Sequence, residues 1–501
     1  MTDQEFRKLV ARLEVECEIS PPRYRLRVLA LALLGYAVVL AALGLGLGLL
    51  IAGASFLAEE RYFIGGKLAL VGGVMTFLLV RALWVRLEGP PGKRLTAEQS
   101  PRLFRLIEKL RVKLKAPAIH EVVLNDEMNA SIWQTPRLGM FGWHRNTLVI
   151  GLPLLQALSQ KQFTAVLAHE YGHLSGSHGK LGAWLYRLRT TWDRVYQNFD
   201  DPDSPVDRGL QWFFRRYLPF FSAYSFVLAR QQEYEADAAA ARIAGAREAA
   251  DALVSVRLKG RFIGERFWNR LWRDADNHPM PALMPHASMH TALKAGITTD
   301  DESAWLREAM AERTDVGDTH PALRDRLEAL GEAARIPPPA SPTAAQAMFE
   351  ERLPQLVKHF DSDWWKQAQS AWRERHGDVQ GARSTLAELG PDENVLPEQE
   401  RERYGLALLT LEEPERALAV LRKVADSRDA TARASFIVGR MLLDRDDESG
   451  IRYLEAAMDK DGECVMAANE RAWEFYMRRD DTEKAEYYRE RLMALHQDEA
   501  A

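Results

Sequence analysis

AVLAHEYGH occupies residues 165–173 and sets two of the chain's 12 histidines, His169 and His173, four positions apart. Residues four apart on a helix share one face, one turn from each other. Neutral imidazoles at that spacing can both reach one tetrahedral zinc ion. Glu170, directly after the first histidine, can then take a proton from a water activated by the metal, the logic of metal-assisted hydrolysis. The surroundings predict a helix. Ser159 and Gln162 have the spacing of a capping box. Phe163, Val166, Leu167 and Leu174 give an apolar face. Ala165, Ala168 and Gly172 are small enough to permit tight packing.

A catalytic zinc needs a third protein ligand and one open position. Downstream, ARQQEYEAD at 229–237 again places two carboxylates one helical turn apart, Glu233 and Asp237. Glu233 is the expected ligand. Asp237 is expected to reach the far nitrogen of a ligand histidine and fix its tautomer. Glu235 lies about 200° around the helix from Glu233 and points elsewhere. Standing alone the segment would read as a solvated acidic face; paired with the histidines it reads as the rest of a one-zinc site.

Working outward, PRLFRLIEKLRVKL at 101–114 has helical periodicity, and EVVLND and TLVIG (147–151) read as strands. EGPPGKRLTAEQS at 88–100 is a polar linker. Before it, Val28 to Ala58 carries no charged residue, and Leu68 to Val85 is interrupted only by Arg81. A spanning helix needs roughly 20 apolar residues, so a transmembrane hairpin over 28–87 is expected. Gly44 and Gly48 have the spacing of a close helix crossing, with general small-residue packing as the alternative. Arg23, Arg25 and Arg27 precede the first run, and Arg86, Lys93 and Arg94 follow the second. The positive-inside bias therefore puts residues 1–27 and everything after the hairpin in the cytoplasm of an inner or plasma membrane protein. Composition agrees with a folded chain, at 47% apolar and 27% charged residues. A net charge of −5 gives no footing for nucleic-acid binding. Cys17 and Cys464 form neither a disulfide framework nor a cysteine zinc site.

These pieces resemble the HtpX-like and CaaX-prenyl-protease-like membrane zinc metallopeptidases, a branch of the gluzincins. The resemblance is carried by AVLAHEYGH, ARQQEYEAD, LNDEMNASIW at 124–133 and DTHPALRDRLEAL at 318–330. It implies a zincin-like helical domain with a small sheet over 95–335. It also implies that Asn129 and Ala130 belong to an edge strand that binds substrate backbone by main-chain pairing. Members of the family carry further membrane segments. Here GLQWFFRRYLPFFSAYSFVLA at 209–229 holds Arg215, Arg216 and Pro219. It reads as an interfacial element roofing the cleft, with a buried core helix as the alternative.

His320 stands before Pro321, which suits a first helical position, ahead of a helix with Leu323, Leu327 and Leu330 on one face. At that helix mouth it can donate to an oxyanion, latch the fourth zinc position, or simply cap the surface. His178 reads as a loop residue. His278, His286 and His290 read as loop histidines, with a second metal site as the alternative. RIPPPASP at 335–342 breaks the chain. Beyond it, Gly405, Gly439 and Ala472, and likewise Ala417, Gly450 and Ala485, recur at about 34 residues, the period of tetratricopeptide repeats. The expected whole is mainly α: a membrane hairpin, a zinc endopeptidase domain with a small sheet, and a helical repeat domain over 344–496 that recruits a protein partner. Protein or peptide segments are the expected substrates. A catalytically silent scaffold is the competing class, although a scaffold has no need of Glu170.

Overall fold

The computed structural model describes residues 3–83, 89–136, 144–175, 184, 185, 188, 192, 205–314, 318 and 320–499. His178 and Arg86 lie outside these. The chain divides into two compact units, Met1–Trp268 with Leu283–Asp363, and Asn269–Ala282 with Trp364–Ala501. It is mainly α with one small mixed sheet, as the sequence led us to expect.

The first unit opens with α1 (Asp3–Ile19), α2 (Pro21–Ala58) and α3 (Tyr62–Leu83). α2 and α3 form a hairpin whose backbones meet at glycines. A Cβ on Gly53 would sit 2.3 Å from Ala69 N, and one on Gly72 would sit 2.4 Å from Leu50 N. Gly44 and Gly48 face open space, so the crossing uses other glycines than that pair. The reason is register: glycines are so frequent here that spacing cannot choose between faces. In its most apolar window α2 is only 22% buried, with Leu33, Leu40, Leu45 and Ile51 exposed.

Four strands follow, with α4 (Pro101–Leu114) between the first two: β1 (Lys93–Leu95), β2 (Glu121–Asn125), β3 (Ala130–Pro136) and β4 (His144–Gly151). Their spatial order is β1-β2-β4-β3, parallel only between β2 and β4. This leaves β3 at an edge, with Ala130 opposite Ile150. After α5 (Leu152–Ala157) comes α6 (Gln160–Leu174), started by the Ser159–Gln162 capping box with both reciprocal bonds made. Phe163, Leu167 and Leu174 on α6 share a core with Leu103 and Ile107 of α4 and with Leu148 and Ile150 of β4.

The next long helix, α7 (Pro205–Ala244), runs through Pro219 and carries the EYEAD segment in its second half. Its first half follows the buried-helix alternative along one stripe. Phe214, Tyr217 and Phe221, at i, i+3 and i+7, form a buried stripe packed with Val28 and Ala32 of α2 and Leu13 of α1. Phe214, Tyr217 and Phe221 fit the buried-helix alternative, while Trp212 and Phe220 stay exposed beside Arg215 and Arg216. α8 (Ala246–Phe262), α9 (Pro285–Ala295), α10 (Thr299–Ala311) and α11 (Leu323–Leu330) complete the frame around the site. The cap of α11 is Ala322, so its first turn starts two residues later than Pro321 would place it.

In the second unit, helices pair across short turns: Glu398–Thr410 with Pro414–Ala425, Ala432–Leu443 with Gly450–Lys460, and Val465–Arg478 with Thr482–Glu499. Small residues sit where the members of each pair meet. A Cβ on Gly405 would strike Leu421, and Gly439 lies directly against Gly450. Ala417, Ala472 and Ala485 are buried.

Candidate active site

Two helices build the site, and a glycine sets their distance. A Cβ on Gly172 of α6 would lie 2.8 Å from Ala236 Cα and 3.3 Å from Ala239 Cβ of α7. With no side chain at 172 and alanines opposite, the backbones close up. The buried Glu233 then reaches across to both histidines. His173 Nε2 is 3.1 Å from His169 Nε2. Glu233 Oε2 is 3.6 Å from His169 Nε2, and Oε1 is 3.4 Å from His173 Nε2.

These three are the group able to hold a metal ion among the described residues. The separations fit zinc. Two ligand atoms about 2.0–2.1 Å from a tetrahedral ion are about 3.3 Å apart. The observed values straddle that figure, and two imidazoles with one carboxylate are a donor set zinc accepts. Burial, with His169 adding to it, depresses the His173 imidazole to about 4, which leaves it neutral and able to ligate.

Asp237 Oδ1 lies 2.9 Å from His169 Nδ1. A carboxylate there makes Nδ1 the protonated nitrogen and frees Nε2 for the metal. Asp237 is itself gripped by Arg326 of α11, whose Nε and Nη2 donate to its two oxygens at 2.8 and 2.7 Å. Burial alone would raise the Asp237 carboxyl, but the Arg326 and His169 bonds outweigh it and hold it at about 2. Arg326 escaped the sequence reading. Its signal is a cation beside the buried Leu323 and Leu327, on the inward side of an amphipathic helix. A charge there implies a buried partner.

Glu170 projects from α6 beside these groups. Burial pushes its carboxyl up to about 7, against the pull of neighbouring His169. His320 places Nδ1 2.7 Å from Glu233 Oε2, so its first partner is the glutamate. That bond leads the causes that raise the imidazole above its ordinary value. Burial would raise Glu233 as well, but the His320 bond and the two site histidines bring it below the usual carboxylate range. Asn129 precedes the edge strand, and its Oδ1 accepts the Ala130 N–H at 2.8 Å. β3 packs against α6, so Ala130 and the strand it opens run past the helix that carries the histidines. Glu235 is exposed and pairs with Arg25 instead. His278 bonds Asp274 and His286 bonds Asp361, and the group able to hold a metal among the described residues does not include His278, His286 or His290. The alternative of a second metal site there is withdrawn.

Two histidines one turn apart, a carboxylate from a second helix and an adjacent glutamate beside a small mixed sheet define a metallopeptidase-type domain. The profile of Peptidase family M48 matches residues 97–334, so that stretch is similar to the M48 peptidases. Protease HtpX of Stutzerimonas stutzeri (strain A1501) is 28% identical over 205 residues, which is 38% of this chain and 60% of that relative. Protease HtpX of Pseudomonas savastanoi pv. phaseolicola (strain 1448A / Race 6) is 25% identical over 204 residues, 38% of this chain and 59% of that protein. The chain thus spans about three fifths of the length of these relatives.

Proposed function

We propose that the protein is a membrane-anchored, zinc-dependent endopeptidase that cuts extended or unfolded protein segments. The observation that carries this is the 3.1–3.6 Å triangle of His169, His173 and Glu233, with Glu170 beside it. When bound, one zinc ion supplies Lewis acidity that activates water and polarises the scissile carbonyl. Glu170 accepts the proton of the attacking water and returns it to the leaving amine. Asp237 holds the His169 tautomer, and Arg326 holds Asp237. Substrate backbone lies along β3, with Asn129 and Ala130 opening the strand that receives it. His320 holds Glu233 through Nδ1. His320→Ala then discriminates two roles: a rise in basal turnover marks a latch, and a fall in kcat at constant KM marks an oxyanion donor.

Around this centre we place the hairpin of α2 and α3 in the bilayer, the peptidase domain over 95–335, and a tetratricopeptide-like domain over 344–496 that docks a protein partner; its residues up to Asp363 pack with the first unit, and its paired helices begin at Glu398. The three helix pairs with small residues at their crossings support the last assignment.

The test is Glu170→Gln in the full-length protein. The variant should retain zinc by metal analysis and lose at least about a hundredfold in kcat on an unfolded substrate, the lower part of what a general base contributes. A chelator should abolish wild-type turnover. Near-normal turnover in the variant would end this mechanism.

A further inference from the structure

α7 is gripped from two sides. α6 holds one face through Gly172. The N-terminal segment holds another through four contacts that bracket Glu233. Tyr24 Oη donates to Tyr224 O at 2.8 Å, and the two rings stack with centroids 5.7 Å apart. Glu14 pairs with Arg230. Cys17 Sγ lies 3.5 Å from Gln231 Oε1. Arg25 Nη2 lies 3.0 Å from Glu235 Oε1. Under these polar contacts, Val10, Leu13, Tyr24 and Val28 are buried against Phe226 and Val227. Arg230 and Arg25 keep only 12% and 19% of their side-chain surface exposed, while Glu14 and Glu235 keep 36% and 42%, so both pairs are partly screened.

We propose that α1 and the first turns of α2 set the register of Glu233, making Glu14 and Arg25 positioning residues for the metal site; this rests on reading His169, His173 and Glu233 as that site. The geometry explains the need. A carboxylate about 6 Å from its helix axis moves about 1 Å when the helix turns by about 10°. The ligand triangle tolerates little of that. Arg230 precedes Glu233 by three residues and Glu235 follows it by two, so the pairs pin both rotation and slide. None of Glu14, Cys17, Tyr24 and Arg25 lies in the matched stretch 97–334, so the peptidase domain does not supply this support itself. α2 continues from the same contacts into the apolar run, so a shift of that helix is delivered directly to the helix bearing Glu233.

The experiment uses the full-length protein and reads zinc affinity by competition with a chromogenic chelator, beside the melting temperature of the zinc-free form. Glu14→Arg sets two cations face to face. It should weaken zinc binding roughly three- to tenfold, less than the 10–100-fold expected for groups bonded directly to a ligand. Adding Arg230→Glu restores opposite charges in reversed order and should return affinity to within about twofold of wild type. Arg25→Glu with and without Glu235→Arg repeats the test on the other pair. If Glu14→Arg does not fold, Glu14→Gln replaces it, with a two- to threefold loss expected. An unchanged zinc affinity overturns the proposal. So does a loss that the swap fails to recover while the zinc-free melting temperature falls, because that marks general loosening. A wild-type protein that binds no zinc overturns the metal reading first, and this proposal with it.

Discussion

Arg326 shows what a single residue adds to the site. Its guanidinium meets both oxygens of Asp237 and passes within 3.4 Å of His169 Nδ1. Arg326→Met would keep most of the volume and leave Asp237 buried without its cation. Removing one partner of a buried pair is costly because the other charge stays uncompensated. Asp237 would then take up a proton more readily and hold His169 less firmly. We expect zinc affinity to fall 10–100-fold, as for other groups behind a ligand histidine. Glu235→Ala, in contrast, should leave affinity within about threefold of wild type, since Glu235 is exposed and pairs with Arg25 rather than with a site histidine. Chelator competition on both variants checks this, and equal losses would contradict it. The contrast also shows what sequence can carry. His169, Glu170 and His173 stand out because one helical turn brings them together. Glu233 and Asp237 stand out for the same local reason. Arg326 is brought to Asp237 by tertiary folding, which no spacing within its own helix announces.

Elements were legible where their signals are local. The capping box started α6 at the expected residue, and the apolar runs placed β2 and β4. The first half of α7 left two readings open because membrane-facing and core-facing aromatics look alike; the structure buries Phe214, Tyr217 and Phe221 and exposes Trp212 and Phe220. Packing between elements gives two predictions. Gly172→Ala puts a methyl 2.8 Å from Ala236 Cα, a backbone atom that cannot swing away. The helices must separate, at about 1–3 kcal/mol for overpacking, and Glu233 retreats from the histidines. A lower melting temperature together with weaker zinc binding is expected; a lower melting temperature alone would mean the site does not depend on this approach. The second prediction concerns α5 and α8, joined where Lys259 Nζ donates to Ala157 O at 2.5 Å. Burial depresses this ammonium to about 8, from an ordinary value of 10.5. Below pH 8 both folded and unfolded chains hold the proton, and the full cost of burying the charge is present. Between 8 and 10.5 the unfolded chain binds a proton that the folded one has released, so stability rises with pH. Lys259→Met removes that rise. The melting-temperature difference, variant minus wild type, should decline steadily from pH 8 to 10.5. A difference independent of pH would contradict the assignment.

At the scale of the molecule, the proposed membrane hairpin of α2 and α3 is judged by the faces it leaves outward. The α2–α3 crossing is closed by glycines, and the outward faces carry Leu33, Leu40, Ile51, Leu70 and Phe77 in the open. A soluble protein rarely exposes an apolar surface of that extent, whereas lipid covers it without cost. Sequence alone made the hairpin visible and left its packing glycines ambiguous, because period and composition do not fix which side of a helix meets its neighbour. Orientation rests on the flanks. Arg23, Arg25 and Arg27 open α2, while the turn between the helices holds Glu59, Glu60 and Arg61. Basic residues close to a span resist translocation, and acidic ones contribute little. Arg25 is also held against Glu235 of α7, so in the proposed arrangement this end of α2 and the helix bearing Glu233 share one side of the bilayer. A reporter fused after residue 501 should therefore be active in its cytoplasmic form, and one inserted between Glu60 and Arg61 in its external form. Cytoplasmic activity at both sites would mean that the hairpin does not cross. External activity at the C-terminal fusion would invert the arrangement and place the candidate zinc site outside the cytoplasm.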